Sequence, residues 1–128
     1  MILETAQKCE NDPVQAMGIS SQGEAFTPVD EQGNFLGNGM VSSDTRAATM
    51  VSEFCNDFGS EKLYRITGHT AYPMFTLFKL IWIKQSQPEL WQKASKYYCY
   101  EDLLHLKLGL EPAIGYPLAW RTMMFNVI

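Results

Sequence analysis

Two short polar segments of the sequence carry side chains suited to binding a ligand. Gln22, Gly23 and Glu24 belong to a polar cluster, residues 20–24, that ends a short apolar run. The amide and the carboxylate supply hydrogen-bond donors and acceptors, and glycine permits close backbone approach, which together suit a polyhydroxylated ligand. Asp44 and Arg46 precede a long amphipathic stretch, where they can hold a hydroxyl and a carboxylate. From residue types alone, a polar surface turn and a helix N-cap are the alternative interpretations.

The other reactive side chains are interpreted as structural. His69 and His105 are not placed near a second ligand type at metal-binding spacing. Cys9, Cys55 and Cys99 are odd in number, far apart and set among apolar neighbours, which predicts buried free thiols in a reducing compartment. The sequence contains no glycine-rich phosphate loop and no nucleophile elbow, so we expect no metal site and no ATP-binding motif within the chain.

The length and composition are those of one small globular domain or of part of a larger one. The chain has 128 residues, of which 46 % are hydrophobic and 19 % are charged, enough apolar material to fill an interior. A net charge of -4 without a dense basic stretch argues against a nucleic-acid partner. No apolar run approaches the roughly 20 residues that cross a bilayer, and no signal peptide is recognised. We therefore expect a cytoplasmic protein with a small ligand and no membrane partner.

Hydrophobic periodicity predicts the elements that must position the polar segments. Residues 2–10 have helical spacing, and residues 14–20 form a short apolar run typical of a buried strand. The polar residues 30–34 separate two extended pieces, which predicts a hairpin that begins at residues 25–29. A helix followed by a strand and a polar tip is typical of an α/β sheet.

The remainder of the chain is predicted to alternate helices with one further strand. The clearest helix covers residues 47–58, with Ser43 or Asp44 as its N-cap and Gly59 as its stop. The other predicted elements are helices at residues 60–67, 75–84 and 89–94, a capping box at residues 86–89, a strand at residues 97–100 and a leucine-rich helix that begins at Glu101.

A collinear series of motifs covers most of the chain, from about residue 14 to 127. It consists of residues 17–24 (MGISSQGE), 28–33 (PVDEQG), 43–47 (SDTRA), 66–68 (ITG), 73–82 (PMFTLFKLIW), 88–91 (PELW) and 101–104 (EDLL). This series resembles the N-terminal domain of the FGGY carbohydrate kinases, and the order of the motifs is more specific than any one of them.

The resemblance implies a fold and an activity. FGGY kinases, such as xylulokinase, gluconokinase and glycerol kinase, bind a sugar in a cleft between two ribonuclease H-like, actin-like domains. ATP with Mg²⁺ supplies the phosphoryl group. The chain is therefore expected to be an α/β, partial ribonuclease H-like domain. Residues 1–128 would form part of the sugar-binding N-terminal domain of an ATP-dependent carbohydrate kinase, with a sugar or polyol and the remainder of the kinase as partners.

The resemblance also implies substrate-contacting residues, which are Gln22, Gly23, Glu24, Asp44, Arg46 and Met74. Met74 falls where some members place an aromatic sugar contact. Two departures leave the substrate open. The pair at positions 23 and 24 is similar to the Arg-Glu pair of glycerol kinases but lacks the arginine, and residues 115–117 replace the family's Asp-x-Ser turn.

The resemblance further implies that parts of the enzyme lie outside the chain. The opening strands with an Asp-x-Gly-Thr phosphate loop are expected before residue 1, and the loop with the catalytic aspartate after residue 128. We therefore expect no catalytic residue in this segment, no turnover and no ATP bound by it alone. We also expect an exposed edge at residues 14–20 that forms a homodimer, exchanges strands between copies or aggregates. The alternatives are a non-catalytic sugar-binding or interaction module, and a structural α/β domain that only oligomerises.

Overall fold

The computed structural model describes residues 2–9 and 11–128. These residues form seven α-helices and two β-strands. In chain order they are α1 (Ile2–Lys8), β1 (Phe26–Val29), α2 (Ala48–Phe58), α3 (Ser60–Thr67), α4 (Thr76–Ser86), α5 (Pro88–Lys93), β2 (Lys96–Cys99), α6 (Tyr100–Lys107) and α7 (Tyr116–Arg121). The fold class is α/β with a small sheet, as predicted. Among the described residues, no helix has the length and apolar character needed to span a membrane.

The sheet pairs β1 with β2 in antiparallel register, so that Phe26 lies opposite Cys99. All four residues of β1 are buried. The predicted hairpin after β1 is present, but its second arm makes only isolated bridges, from Val29 to Phe35 and from Phe26 to Met40. Asp30 shapes the turn, because its Oδ1 accepts a hydrogen bond from the Asn34 amide at 2.8 Å.

The predicted buried strand at residues 14–20 is wrong. The segment has no regular secondary structure, and Val14 and Met17 are 53 % and 50 % exposed. A strand needs a neighbour to complete its backbone hydrogen bonds, and no described residue of the chain pairs with this segment in a sheet. Helix α1 is also shorter than predicted and entirely exposed. The last residue of that predicted helix, Glu10, lies outside the described residues.

Helices α2 to α6 lie close to their predicted positions, α7 was not predicted, and two predicted caps are wrong. Helix α2 begins after Ala47 without a side-chain cap, because the Asp44 carboxylate is engaged by Arg46 instead. The predicted capping box before α5 is also not formed, since Gln87 is the N-cap and makes no side-chain hydrogen bond. The glycine stops are confirmed: Gly59 and Gly68 follow α2 and α3 with φ of 94° and 71°.

Helix α4 lies between two apolar clusters and contributes a buried residue to each. Phe78 belongs to the first cluster, which joins α2, α3 and α4 and also contains Met123. Ile83 belongs to the second, which packs on the sheet beside Phe26 and Cys99. The thiol of Cys99 is buried, and desolvation raises its pKa to about 12. Cys9 and Cys55 are free but only half-buried, so the expectation of buried thiols holds for Cys99 alone.

The same helix carries a fully buried lysine. Lys79 has 0 % exposure, and its Nζ donates hydrogen bonds to the carbonyl oxygens of Glu24 at 3.0 Å and Val41 at 2.8 Å. Burial lowers the pKa of Lys79, and the nearby Glu24 and Asp44 carboxylates oppose that shift. The ammonium therefore connects α4 to two loops that are far apart in sequence.

His69 closes the end of α3 against α7. Its ring stacks on Trp120 at 4.2 Å and lies 4.7 Å from the ring of Phe75, measured between centroids. The Trp120 indole donates to the Thr67 carbonyl oxygen at 2.5 Å. Desolvation lowers the pKa of His69, the Arg121 charge lowers it further, and Glu24 opposes the shift. These contacts agree with the structural role predicted for His69.

Replacing Lys79 with Met is expected to destabilise the protein by about 2–4 kcal/mol, because two buried carbonyl oxygens lose their donor. Urea unfolding of the purified protein measures the change in the free energy of unfolding. Lys84→Met is the matched control, since Lys84 is an exposed lysine of the same helix. Equal stability of the two variants would contradict the structural role of the Lys79 ammonium.

His69 is expected to titrate below its ordinary pKa of about 6.5. At a pH between the pKa of His69 in the folded protein and its pKa of about 6.5 in the unfolded chain, the unfolded state binds more protons than the folded state. The stability contributed by neutral His69 therefore falls as the pH drops below about 6.5. An NMR titration of the imidazole protons measures this pKa, with His105→Gln used to assign the resonances. A folded-state value at or above 6.5 would refute the buried stacking environment.

Candidate functional site

The two polar segments singled out in the sequence lie side by side. Gln22 Nε2 donates to Ser42 Oγ at 2.9 Å, and that hydroxyl donates to the Gly23 carbonyl oxygen at 3.2 Å. The buried ammonium of Lys79 donates to the carbonyl oxygens of Glu24 and of Val41, which lies three residues before Asp44. The structure therefore brings residues 22–24 and the loop before α2 together, although about 20 positions separate them in the sequence.

Glu24 is held in one conformation from both sides. Its side chain is 2 % exposed and its φ is 58°, in the left-handed region that non-glycine residues rarely adopt. Lys79 fixes its carbonyl oxygen, and Arg121 at the end of α7 donates through Nε to its carboxylate. The Arg121 guanidinium also lies 5.6 Å from the centroid of the Phe75 ring. A strained residue fixed by two cations is the arrangement expected where geometry matters for function.

Asp44 and Arg46 form an ion pair with each other. Arg46 Nη2 lies 2.5 Å from Asp44 Oδ2, and the Arg46 backbone amide donates to Asp44 Oδ1 at 3.0 Å. The hydrogen bonds from Arg46 lower the pKa of Asp44, against the opposing effect of burial. The Arg46 guanidinium lies over the Trp82 ring at 4.6 Å. The carboxylate is thus ionised and fixed, with 12 % of its side chain exposed.

Met74 takes a different place from the other predicted contacts. It is half-buried and packs against the first apolar cluster, directly before α4. Gln22 is exposed, Gly23 is half-buried and Glu24 is buried. The polar segment at residues 22–24 is therefore accessible to solvent at Gln22 and enclosed at Glu24.

The structure adds residues that the sequence did not single out, Arg121 and Glu101. Arg121 meets Glu24 across 97 positions, a separation at which sequence spacing gives no signal. Both added residues line a pocket of about 340 Å³ beside Gly23. Its lining residues are Ile19, Ser20, Ser21, Gly23, Glu101, Gly115, Pro117, Leu118 and Arg121. We call this cavity the Glu101 pocket.

No group of three or more His, Cys, Asp or Glu side chains in the described ranges is placed to hold a metal ion. His105 instead contacts the chain near its own helix, where its Nδ1 lies 3.1 Å from the Ala113 carbonyl oxygen. The described residues thus contain ion pairs and hydrogen-bonding groups for a polar ligand, but no ligand set for a cation.

Comparisons with known proteins identify relatives of this chain among the carbohydrate kinases. A probable L-xylulose kinase of Pasteurella multocida is 30 % identical over 110 residues, covering 84 % of this chain and 23 % of that protein. A rhamnulokinase of Yersinia pestis is 28 % identical over 118 residues, covering 92 % of this chain and 24 % of the relative. The chain thus spans about a quarter of the length of these curated relatives.

Solved structures show the same fold. The gluconate kinase of Lactobacillus acidophilus superposes with a TM-score of 0.89 at 24 % identity, over 99 % of this chain and 26 % of that one. The Plasmodium falciparum glycerol kinase with ADP superposes with a TM-score of 0.81 at 26 % identity, over 89 % of this chain and 24 % of that one.

A family model assigns the whole chain. The model for the N-terminal domain of the FGGY family of carbohydrate kinases matches residues 1–128. The relatives and the solved structures that match carry names of kinases for several different sugars and polyols. The chain therefore belongs to the FGGY family of carbohydrate kinases and represents part of its N-terminal domain.

Proposed function

We propose that the complete protein carrying this chain is an ATP-dependent carbohydrate kinase that phosphorylates a hydroxyl of a sugar or polyol. The observation that carries the proposal is the family match over residues 1–128. In this proposal residues 1–128 form a single unit, a partial ribonuclease H-like domain that is part of the N-terminal, sugar-binding domain of the kinase. The high TM-scores to a gluconate kinase and a glycerol kinase support that fold assignment.

Within this proposal the tip at residues 22–24 contacts the substrate. The carboxylate of Glu24 is buried, and Arg121 fixes its orientation before any substrate binds. Such a carboxylate loses little conformational entropy when it accepts a hydrogen bond from a sugar hydroxyl. Gln22 is exposed next to it and offers an amide. Asp44, Arg46 and Met74 are further proposed contacts: Asp44 lies near enough to the Lys79 ammonium to influence its pKa, whereas Met74 packs against the first apolar cluster.

ATP and Mg²⁺ belong to the proposal for the complete enzyme. We assign no step of phosphoryl transfer to the described residues, among which no group of three or more His, Cys, Asp or Glu side chains is placed to hold a metal ion. Their part is to bind and orient the attacking hydroxyl. The remainder of the kinase is the proposed partner, the cytoplasm the proposed location, and homodimer formation stays a prediction.

The proposal is tested by assaying the complete protein with ATP and Mg²⁺ against L-xylulose, L-rhamnulose, gluconate and glycerol. ATP-dependent phosphorylation of at least one of them is expected, measured as sugar-dependent release of ADP. If a sugar binds but none is phosphorylated, the non-catalytic sugar-binding module is the correct alternative. If none of the four raises Tm or is phosphorylated, the carbohydrate kinase proposal is wrong.

Replacing Glu24 with Gln in the complete protein is expected to lower kcat/KM for the preferred sugar, because a charge-assisted hydrogen bond is lost. The decrease should correspond to about 1–3 kcal/mol of lost transition-state stabilisation. Steady-state kinetics and Tm are measured together, so that a loss of folding is recognised. Glu53→Gln, at an exposed position of α2, is the matched control. Unchanged kcat/KM in a folded Glu24→Gln variant would remove Glu24 from the site.

A further inference from the structure

The Glu101 pocket is bordered by opposite charges on two different helices. Glu101 lies in the first turn of α6, and Arg121 is the last residue of α7. Residues 19–21 and Gly23 form the third wall. A volume of about 340 Å³ falls at the small end of the range for small-molecule sites.

Glu101 has acceptor capacity left over. Its Oε2 accepts one hydrogen bond, from the Gly115 amide at 3.3 Å, and within the described part of the chain no hydrogen bond reaches Oε1. An ionised carboxylate offers about four acceptor positions, so most of those of Glu101 stay available. The side chain is half-buried, which strengthens any hydrogen bond that it accepts relative to one at a fully exposed site.

Arg121 has donor capacity left over. Its Nε is used on Glu24, and no other described residue accepts a hydrogen bond from its two Nη groups. A guanidinium carries five N–H donors, so four of them stay available. The side chain is 38 % exposed, and the pairing with Glu24 together with the Phe75 ring fixes its plane. The pocket is therefore lined by a residue with free donors, Arg121, and a residue with free acceptors, Glu101.

We propose that the Glu101 pocket binds a vicinal diol of the sugar or polyol, with one hydroxyl donating to Glu101 and its neighbour accepting from Arg121. A hydroxyl is both donor and acceptor, so adjacent hydroxyls match this pair of charges. Two carboxylates, Glu24 and Glu101, border the single guanidinium, and this disfavours a ligand carboxylate. The inference deepens the proposed function and rests on it: the substrate is a neutral polyol or sugar rather than a sugar acid.

The test compares Glu101→Gln with the unmodified complete protein by calorimetric titration with xylitol, L-xylulose, glycerol and gluconate. Glutamine keeps the shape and can still accept from Gly115, but the negative charge is lost. We expect the affinity for the tightest neutral ligand to fall roughly tenfold. The affinity for gluconate should not fall, because a repulsive charge has been removed. Glu111→Gln, at an exposed position outside the pocket, is the matched control.

The change in the ratio of neutral-ligand to gluconate affinity decides the proposal, since a purely structural role of Glu101 would weaken both ligands alike. An unchanged ratio overturns it, as does the absence of binding by every probe. If the probes bind but are not phosphorylated, and Glu101→Gln still changes the ratio of the two affinities, the diol pocket is supported and the kinase proposal fails. Phosphorylation of a sugar with kinetics unaffected by Glu101→Gln leaves the kinase proposal standing and refutes the diol pocket.

Discussion

The buried ammonium of Lys79 is the interaction on which the rest of the site depends. A lysine with 0 % exposure is costly unless its hydrogen bonds are satisfied, and here two backbone carbonyl oxygens accept them. Those oxygens belong to the two loops that carry the candidate binding residues. The same helix, α4, supplies Phe78 and Ile83 to the two apolar clusters. One helix thus fixes both the interior and the relative position of the loops.

The features that were predicted correctly depend on local sequence. Helices α2 and α3 were recognised because apolar residues recur at helical spacing and because Gly59 and Gly68 supply the positive φ that ends each one. The wrong features depend on partners that spacing does not show. Asp44 can cap a helix or pair with Arg46, and only the folded structure reveals the second outcome. The segment at residues 14–20 has the composition of a strand but no described neighbour with which to pair.

The candidate site divides in the same way. Gln22, Gly23 and Glu24 stood out because a polar tip after an apolar run suggests a ligand, and the structure places them beside the loop that contains Asp44. Their roles toward a sugar stay predictions. The contribution of α7 was not visible in the sequence. Residues 115–117 indicated only that the family's Asp-x-Ser turn is replaced, and not that a helix begins at Tyr116. Arg121 and Glu101 could be found only from three-dimensional proximity.

The pairing of Glu24 with Arg121 also has a consequence for biosynthesis. A ribosome adds about 5–20 residues per second, so roughly 5 to 20 seconds pass between the synthesis of residue 24 and that of its partner 97 positions later. Throughout that interval the acidic side chain must stay hydrated or find a temporary cation. The segment at residues 22–24 therefore acquires its final form only after α7, which carries Arg121, has been synthesised.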